Sequence, residues 1–229
     1  NKTGGVMGCT LELIIEDSQA DAAVAVAAAE KLLNKDKVEA MIGAYHSHTT
    51  LAIMPMLPDA KVPMLEVIAT GPKITDENNG WMYRISSTNA ADANTAVKKC
   101  QDDIGAKKWA FLYVNNDWGK SVPAGYKPVI EEAGGEVVLE ESLEQGTTNF
   151  LSQLTKVRAS GADTVAVTID IESLSVIAKQ AYEAGMTDQY TWIATSGQDL
   201  TTFMTLLKDV PEAAEGWYST AYFRSPDLP

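Results

Sequence analysis

The chain has 229 residues, 45% of them hydrophobic, which is enough for one large domain or two small ones with a sizeable core. Its 18 basic and 31 acidic residues give a net charge of -13, with no Lys/Arg cluster able to track phosphates, so nucleic acid is not an expected partner. The longest near-apolar stretch, AAVAVAAAEKLL, is broken by Glu30 and Lys31 and is too short to cross a bilayer, so no direct membrane insertion is expected.

LELIIE (11–16) reads as a first strand, and a Ser18-to-Asp21 capping box then opens a helix with the stripe Ala25, Ala28, Ala29, Leu32 and Leu33. VEAMIG (38–43) is a second strand that runs into GAYHSHTT (43–50), where both histidines stand among hydroxyls. Three chemistries compete there. A metal site would use His46 and His48 but must recruit a third ligand, Glu66, from another strand. A nucleophile and base, Ser47 with a histidine, lacks the G-x-S-x-G turn. A helix beginning at Ser47 would present unpaired N–H groups to an anion, with Ser47 as an ordinary N-cap the plain alternative.

VPMLEVIA (62–69) is a third strand ending in ATGP (69–72). The segment 70–93 breaks the rhythm with turn formers and a short WMYRIS strand, which places a lobe boundary near Ser86 and Ser87. WAFLYV (109–114) leads into NNDWGKS (115–121), whose ending resembles a phosphate-binding loop; that motif needs glycine where Val114 stands, so the reading fails. Trp118 is either core or a flat apolar face offered to a ligand.

EVVLE (136–140) is followed by the stripe Leu151, Leu154 and Val157, which stops at Gly161. TVAVTI (164–169) ends at Asp170, a helix N-cap, a carboxylate for a ligand cation, or both. Leu174, Ile177, Ala178 and Ala181 form another stripe before Gly185, and TWIAT (191–195) is a further strand. The alternation predicts an α/β fold of βαβ units with mostly parallel sheets, whose ligands sit beyond the carboxyl ends of the strands. No G-x-G-x-x-G occurs, and no cofactor is expected. Cys9 and Cys100 lack C-x-x-C spacing and leave the compartment open. The opening NKTGG is not Met with a basic and apolar leader, so the true start and any localisation signal are expected to have been removed.

Taken in order, GGVMGCTLELIIEDSQADAAVAVAAAEKLLNKDKVEAMIGAYHSHTTLAIMPML, VPMLEVIATGPKIT, YRISSTNAADA, GAKKWAFLYVNNDWGKS, GTTNFLSQLTKVRASGADTVAV and AKQAYEAGM resemble the type I periplasmic binding proteins, nearest to the branched-chain amino acid (Leu/Ile/Val) group of ABC importers. The resemblance implies two doubly wound parallel-sheet lobes, joined by a hinge, that close on a ligand in the cleft between them. The first lobe, residues 1–86, would be partial. Residues 87–222 would form the second lobe, and 223–229 would start the return crossing. It also implies that Ser47, Ala69 and Thr70 hold the carboxylate and amino group of a ligand, with Tyr45 and the histidines at the mouth, and that Trp118, Asp170 and Ser196 complete the site from the second lobe.

Relatives specific for branched-chain amino acids carry tyrosine where Asp170 stands and glutamate where Ser196 stands. Tyr45, His46 and Glu66 would also make the rim polar, so the expected ligand widens to other amino acids, amides, urea-like compounds or aromatic carboxylates. The implied role is solute capture for an ABC importer, not an enzyme. Its partners would be a small molecule and a membrane permease, in the periplasm or outside the cell, lipid-anchored in a Gram-positive source. A ligand-sensing domain of a receptor or regulator is the alternative; a hydrolase in the cleft lacks a coherent set of acid, base and nucleophile.

Overall fold

The computed structural model describes residues 4–195 and 200–220. The described chain falls into two compact units, the first running to Ala69 and again from Lys73 to Ile85, the second formed by Thr70–Pro72 and everything from Ser86 on.

In the first unit, α1 (Ala22–Glu30) begins at Asp21, whose carboxylate accepts the N–H groups of Ala23 and Val24 at 2.8 and 2.9 Å. The expected capping box therefore reduces to a cap by its second member. The helix widens into a π-helical turn, Lys31–Asp36, and Ala25, Ala29 and Leu33 turn inward at the four-residue spacing of the stripe. The unit continues through β1 (Met41–Ile42), α2 (Ser47–Ile53), a 3-10 turn (Met54–Met56), α3 (Leu57–Ala60), β2 (Met64–Glu66), α4 (Lys73–Asp76) and β3 (Met82–Arg84). The three strands are parallel in the order β1-β2-β3, with Met41, Met64 and Met82 in register. Those methionines join Leu57 and Ile74 in one core, while the alternate residues Ile42 and Tyr83 are 72% and 58% exposed.

LELIIE does not form the expected strand: residues 11–18 carry no ladder, and Leu11, Leu13 and Ile15 are exposed. Its alternation has the right period, but a strand also needs a neighbouring edge to take its backbone hydrogen bonds, and none of the described strands does so.

The second unit runs α5 (Asn89–Ile104), β4 (Lys108–Val114), α6 (Asp117–Glu132), β5 (Glu136–Leu143), α7 (Leu151–Ser160), β6 (Thr164–Thr168), α8 (Ile171–Glu183), β7 (Thr191–Ala194), α9 (Leu200–Leu206) and β8 (Trp217–Ser219). All pairings are parallel, in the order β5-β4-β6-β7-β8. Both faces are covered, which is why the central strands read as unbroken apolar runs. Ala110, Leu112 and Val114 face α7 and α8 with Val165, Val167 and Trp192; Trp109 and Phe111 face α5 and α6 with Ala166 and Ile193. Each such Leu, Val or Phe side chain contributes roughly 1.5–3 kcal/mol by its full burial. Gly105 and Gly161, both in left-handed conformation, end α5 and α7, the second as expected. β8 is too short to announce itself as an apolar run; it is held by register, Trp217 stacking on Trp192 with ring centroids 5.1 Å apart.

Where α5 starts, the carboxylate of Asp92 accepts hydrogen bonds from the Tyr126 hydroxyl of α6 at 2.8 Å and from Thr220, just after β8, at 3.2 Å. Both cysteines are free thiols, Cys9 exposed and Cys100 buried. Among the described residues no helix is long and apolar enough to cross a membrane.

Candidate functional site

The residues of interest after β1 and β2 belong to the first unit as far as Ala69; Thr70, which follows, is counted with the second. After β1 the chain turns at Gly43 (φ 122°), a backbone angle that favours glycine, and passes Tyr45, which is 68% exposed. His46 takes the extended N-cap conformation, and α2 begins at Ser47, as the sequence suggested. Ser47 is not the N-cap itself; it is the first helical residue and only 2% exposed. No side chain caps α2; the hydroxyls of Thr49 and Thr50 instead lie 2.8 and 3.1 Å from the His46 carbonyl, which they face as donors from within the first turn.

The histidines separate in role. His46 lies edge-on to Tyr45, ring centroids 5.0 Å apart, and burial, with a smaller contribution from His48, lowers its pKa below the ordinary 6.5. Its Nδ1 is buried with no hydrogen-bond partner among the described residues. The His48 ring stays 5.4 Å from that of His46, centroid to centroid, while its Nε2 lies 2.9 Å from the carbonyl of Ala20, which ties α2 to the turn before α1.

Glu66, the last residue of β2, is not the polar rim residue that the sequence suggested. It is 0% exposed, and its carboxylate is turned inward. Oε2 accepts the Thr50 hydroxyl at 2.7 Å, and Oε1 accepts the backbone N–H groups of Ile68 and Ala69, both at 2.8 Å. Arg84, its register partner on β3, feels this charge: burial lowers the Arg84 pKa, and the charges of Glu66 and Asp76 oppose that shift. Glu66 is thus committed to protein donors, and among the described residues no group of three or more His, Cys, Asp or Glu is placed to hold a metal ion. Ala69 is buried, and Thr70, next in the chain, is 3% exposed with its hydroxyl unpartnered among the described residues. A buried hydroxyl without a partner is costly, so each one calls for an explanation.

In the second unit, Trp118 stands in the first turn of α6, where Asn116 caps the helix by accepting the Gly119 N–H at 2.9 Å. A β-carbon on Gly119 would come within 1.9 Å of the Val114 carbonyl oxygen, so glycine alone lets α6 start this close to the end of β4. Trp118 is partly buried against the core and partly open, so it is not a fully buried core residue. Asp170 is the N-cap of α8, accepting the Ser173 N–H at 2.8 Å, and it also lines a cavity of about 460 Å³ with Thr147, Thr148 and Glu172. Ser196 lies outside the described residues.

What sequence reasoning missed was the link between Thr50 and Glu66. Its signal was present as an acidic residue inside the otherwise apolar VPMLEVIA, a pattern that a buried, hydrogen-bonded carboxylate explains.

A periplasmic binding protein family model matches residues 1–229. The chain belongs to the periplasmic binding protein family. Its sequence is 28% identical over 186 residues to the leucine-, isoleucine-, valine-, threonine- and alanine-binding protein of Pseudomonas aeruginosa, covering 81% of this chain and 50% of that one. Among solved structures it is similar to the branched-chain amino acid transporter substrate binding protein LivJ of Streptococcus pneumoniae in complex with isoleucine. The TM-score is 0.84 at 23% identity, over 99% of this chain and 63% of that one. It is also similar to the ABC transporter solute binding protein of R. palustris in complex with 4-hydroxybenzoate. There the TM-score is 0.73 at 23% identity, over 88% of this chain and 54% of that one. The chain therefore has the type I periplasmic binding protein fold and spans about half the length of the curated relatives it matches.

Proposed function

We propose that the protein is the solute-capturing component of an ABC importer, acting in the periplasm or outside the cell with a membrane permease as partner. Its ligand in this reading is a small amino acid or a related carboxylate, held by closure of the two lobes. The family match over the whole chain carries the reading. The relatives named for their ligands support it, since amino acids, isoleucine and 4-hydroxybenzoate all present a compact carboxylate or carboxylic acid group. The local geometry adds the buried, unpartnered hydroxyl of Thr70, a donor free to meet such a group. In this proposal Ser47, Ala69 and Thr70 take the carboxylate end, Tyr45 and His46 border it, and Trp118, Asp170 and Ser196 supply the remaining contacts.

A thermal-shift screen of the full-length protein against the twenty amino acids and a set of aromatic and aliphatic carboxylates tests the reading. A ligand at a hundredfold excess over its dissociation constant stabilises the folded state by about 2.7 kcal/mol, a clear rise in melting temperature. No response across the panel would overturn the proposed ligand class, and the appearance of a chemical product would replace a binding role with an enzymatic one.

A further inference from the structure

Glu66 sits at an unusual place for a carboxylate. It ends a strand whose neighbours Met64 and Leu65 are apolar, and it has no solvent contact. Such a group is expensive to bury unless each acceptor is used, and here three donors converge on it: the Thr50 hydroxyl on one oxygen, the Ile68 and Ala69 amides on the other.

These donors belong to two different segments. Thr50 belongs to α2, and its hydroxyl also lies 3.1 Å from the His46 carbonyl and 3.4 Å from that of Ala44, within the turn that carries Tyr45, His46 and Ser47. Ile68 and Ala69 open the segment that continues to Thr70. Glu66 is therefore a strut between the turn after β1 and the turn after β2, and its two oxygens fix how far apart those turns stand.

We infer that Glu66 is a positioning residue for ligand capture, acting through Thr50 on the 44–47 turn and through the 68 and 69 amides on Ala69 and Thr70. The inference rests on the binding reading above and deepens it, because it assigns the spacing of the two turns to one residue that does not itself touch the ligand. Recognition of a planar carboxylate depends on donors held to within a fraction of an ångström, so a loosened strut costs affinity before it costs folding.

Three substitutions in the full-length protein separate this from a merely structural role. Thr50→Val keeps the volume and cuts the link to the first turn. Glu66→Ala removes both links. Glu66→Gln retains an oxygen for the two amides, and its new amide group can donate to Thr50, whose own hydrogen then turns to His46. Titration calorimetry uses L-leucine, L-isoleucine and 4-hydroxybenzoate as probes, at a temperature where each variant is folded by circular dichroism. Amide hydrogen exchange is read in parallel.

Thr50→Val and Glu66→Ala are expected to weaken binding of whichever probe the unaltered protein takes by about tenfold or more, and Glu66→Gln to stay within about threefold. Exchange at Ile68 and Ala69 should quicken in Glu66→Ala and not in Glu66→Gln. If Glu66→Ala does not fold, Thr50→Val and Glu66→Gln decide the matter. Undiminished affinity in Thr50→Val, whatever its melting temperature, overturns the role of Glu66 alone. An unaltered protein that binds none of the three is probed instead with whichever compound of the thermal-shift panel it takes, and one that takes none of that panel overturns the binding reading and this role with it.

Discussion

Asp170 accepts the backbone N–H of Ser173 at 2.8 Å, so one carboxylate both caps α8 and stands at the carboxyl end of β6. Asparagine caps a helix about as well as aspartate, and losing the charge at the helix start costs only about 0.3–1 kcal/mol. Asp170→Asn should therefore stay close to the unaltered protein in melting temperature. If Asp170 meets the ammonium group of an amino acid, the same change should weaken L-leucine binding at least tenfold, about 1.4 kcal/mol, because the ammonium loses its charged partner. Binding of 4-methylpentanoate, the same skeleton without the amino group, should be unaffected or improved. Calorimetry with the two compounds makes the comparison, and equal losses or none would leave Asp170 as a cap only.

Trp118 has a foot in the core, packing against the cluster that includes Val114 and Phe150. Trp118→Ala should therefore lower stability by about 1–3 kcal/mol, less than the loss of a fully buried tryptophan. If its open face also stacks on the ligand, affinity should fall by a further ~1–3 kcal/mol, and intrinsic fluorescence should shift on binding in the unaltered protein. Chemical denaturation and titration, run side by side, separate the two losses.

Thr70 offers the reverse pattern. Its hydroxyl is buried without a partner among the described residues, so Thr70→Val removes an unsatisfied polar atom and should leave the melting temperature unchanged or higher. If that hydroxyl is reserved for a ligand, affinity should drop by about 1–2 kcal/mol in the same variant. A loss of stability with full affinity would point to a structural partner for Thr70 instead.

The lowered pKa of His46 gives a pH dependence of fixed sign. Burial favours its neutral form in the folded protein, while the unfolded chain titrates near the ordinary 6.5. As the pH falls from that value through the lowered one, the unfolded state takes up a proton that the folded state resists, so this residue's contribution to stability is present above the window and lost below it. Urea midpoints measured near pH 7 and near pH 5 should differ less for His46→Gln than for the unaltered protein. Identical pH dependence in both would remove His46 as a source.

The order of elements was legible in the chain because period-2 and period-3.6 patterns alternate from Met41 to Ala194, and the buried central strands announce themselves as runs such as WAFLYV and TVAVTI. Two elements escaped the pattern for different reasons. LELIIE has a strand's alternation without a strand's neighbour, and pairing is not a local property. WYS, residues 217–219, is a strand only because β7 offers it an edge.

At the site, the helix start at Ser47 and the cap at Asp170 were readable from residue type and place. The inward turn of Glu66 and the contact of His48 with Ala20 were not, since each depends on a donor or acceptor distant in sequence. For Ser196 the sequence remains the only witness.

The carboxylate of Asp92 joins the first turn of α5, the middle of α6 and the residue that follows β8. The chain returns to the second unit at Ser86 and has reached Thr220 at the end of the described residues, yet both stretches lie within a few residues of a contact to one side chain. Thr220 is thereby held twice, by its N–H on the Ala194 carbonyl of β7 at 3.2 Å and by its hydroxyl on Asp92 at the start of α5. The start of α5 and the residue after β8 would therefore loosen together on loss of one carboxylate.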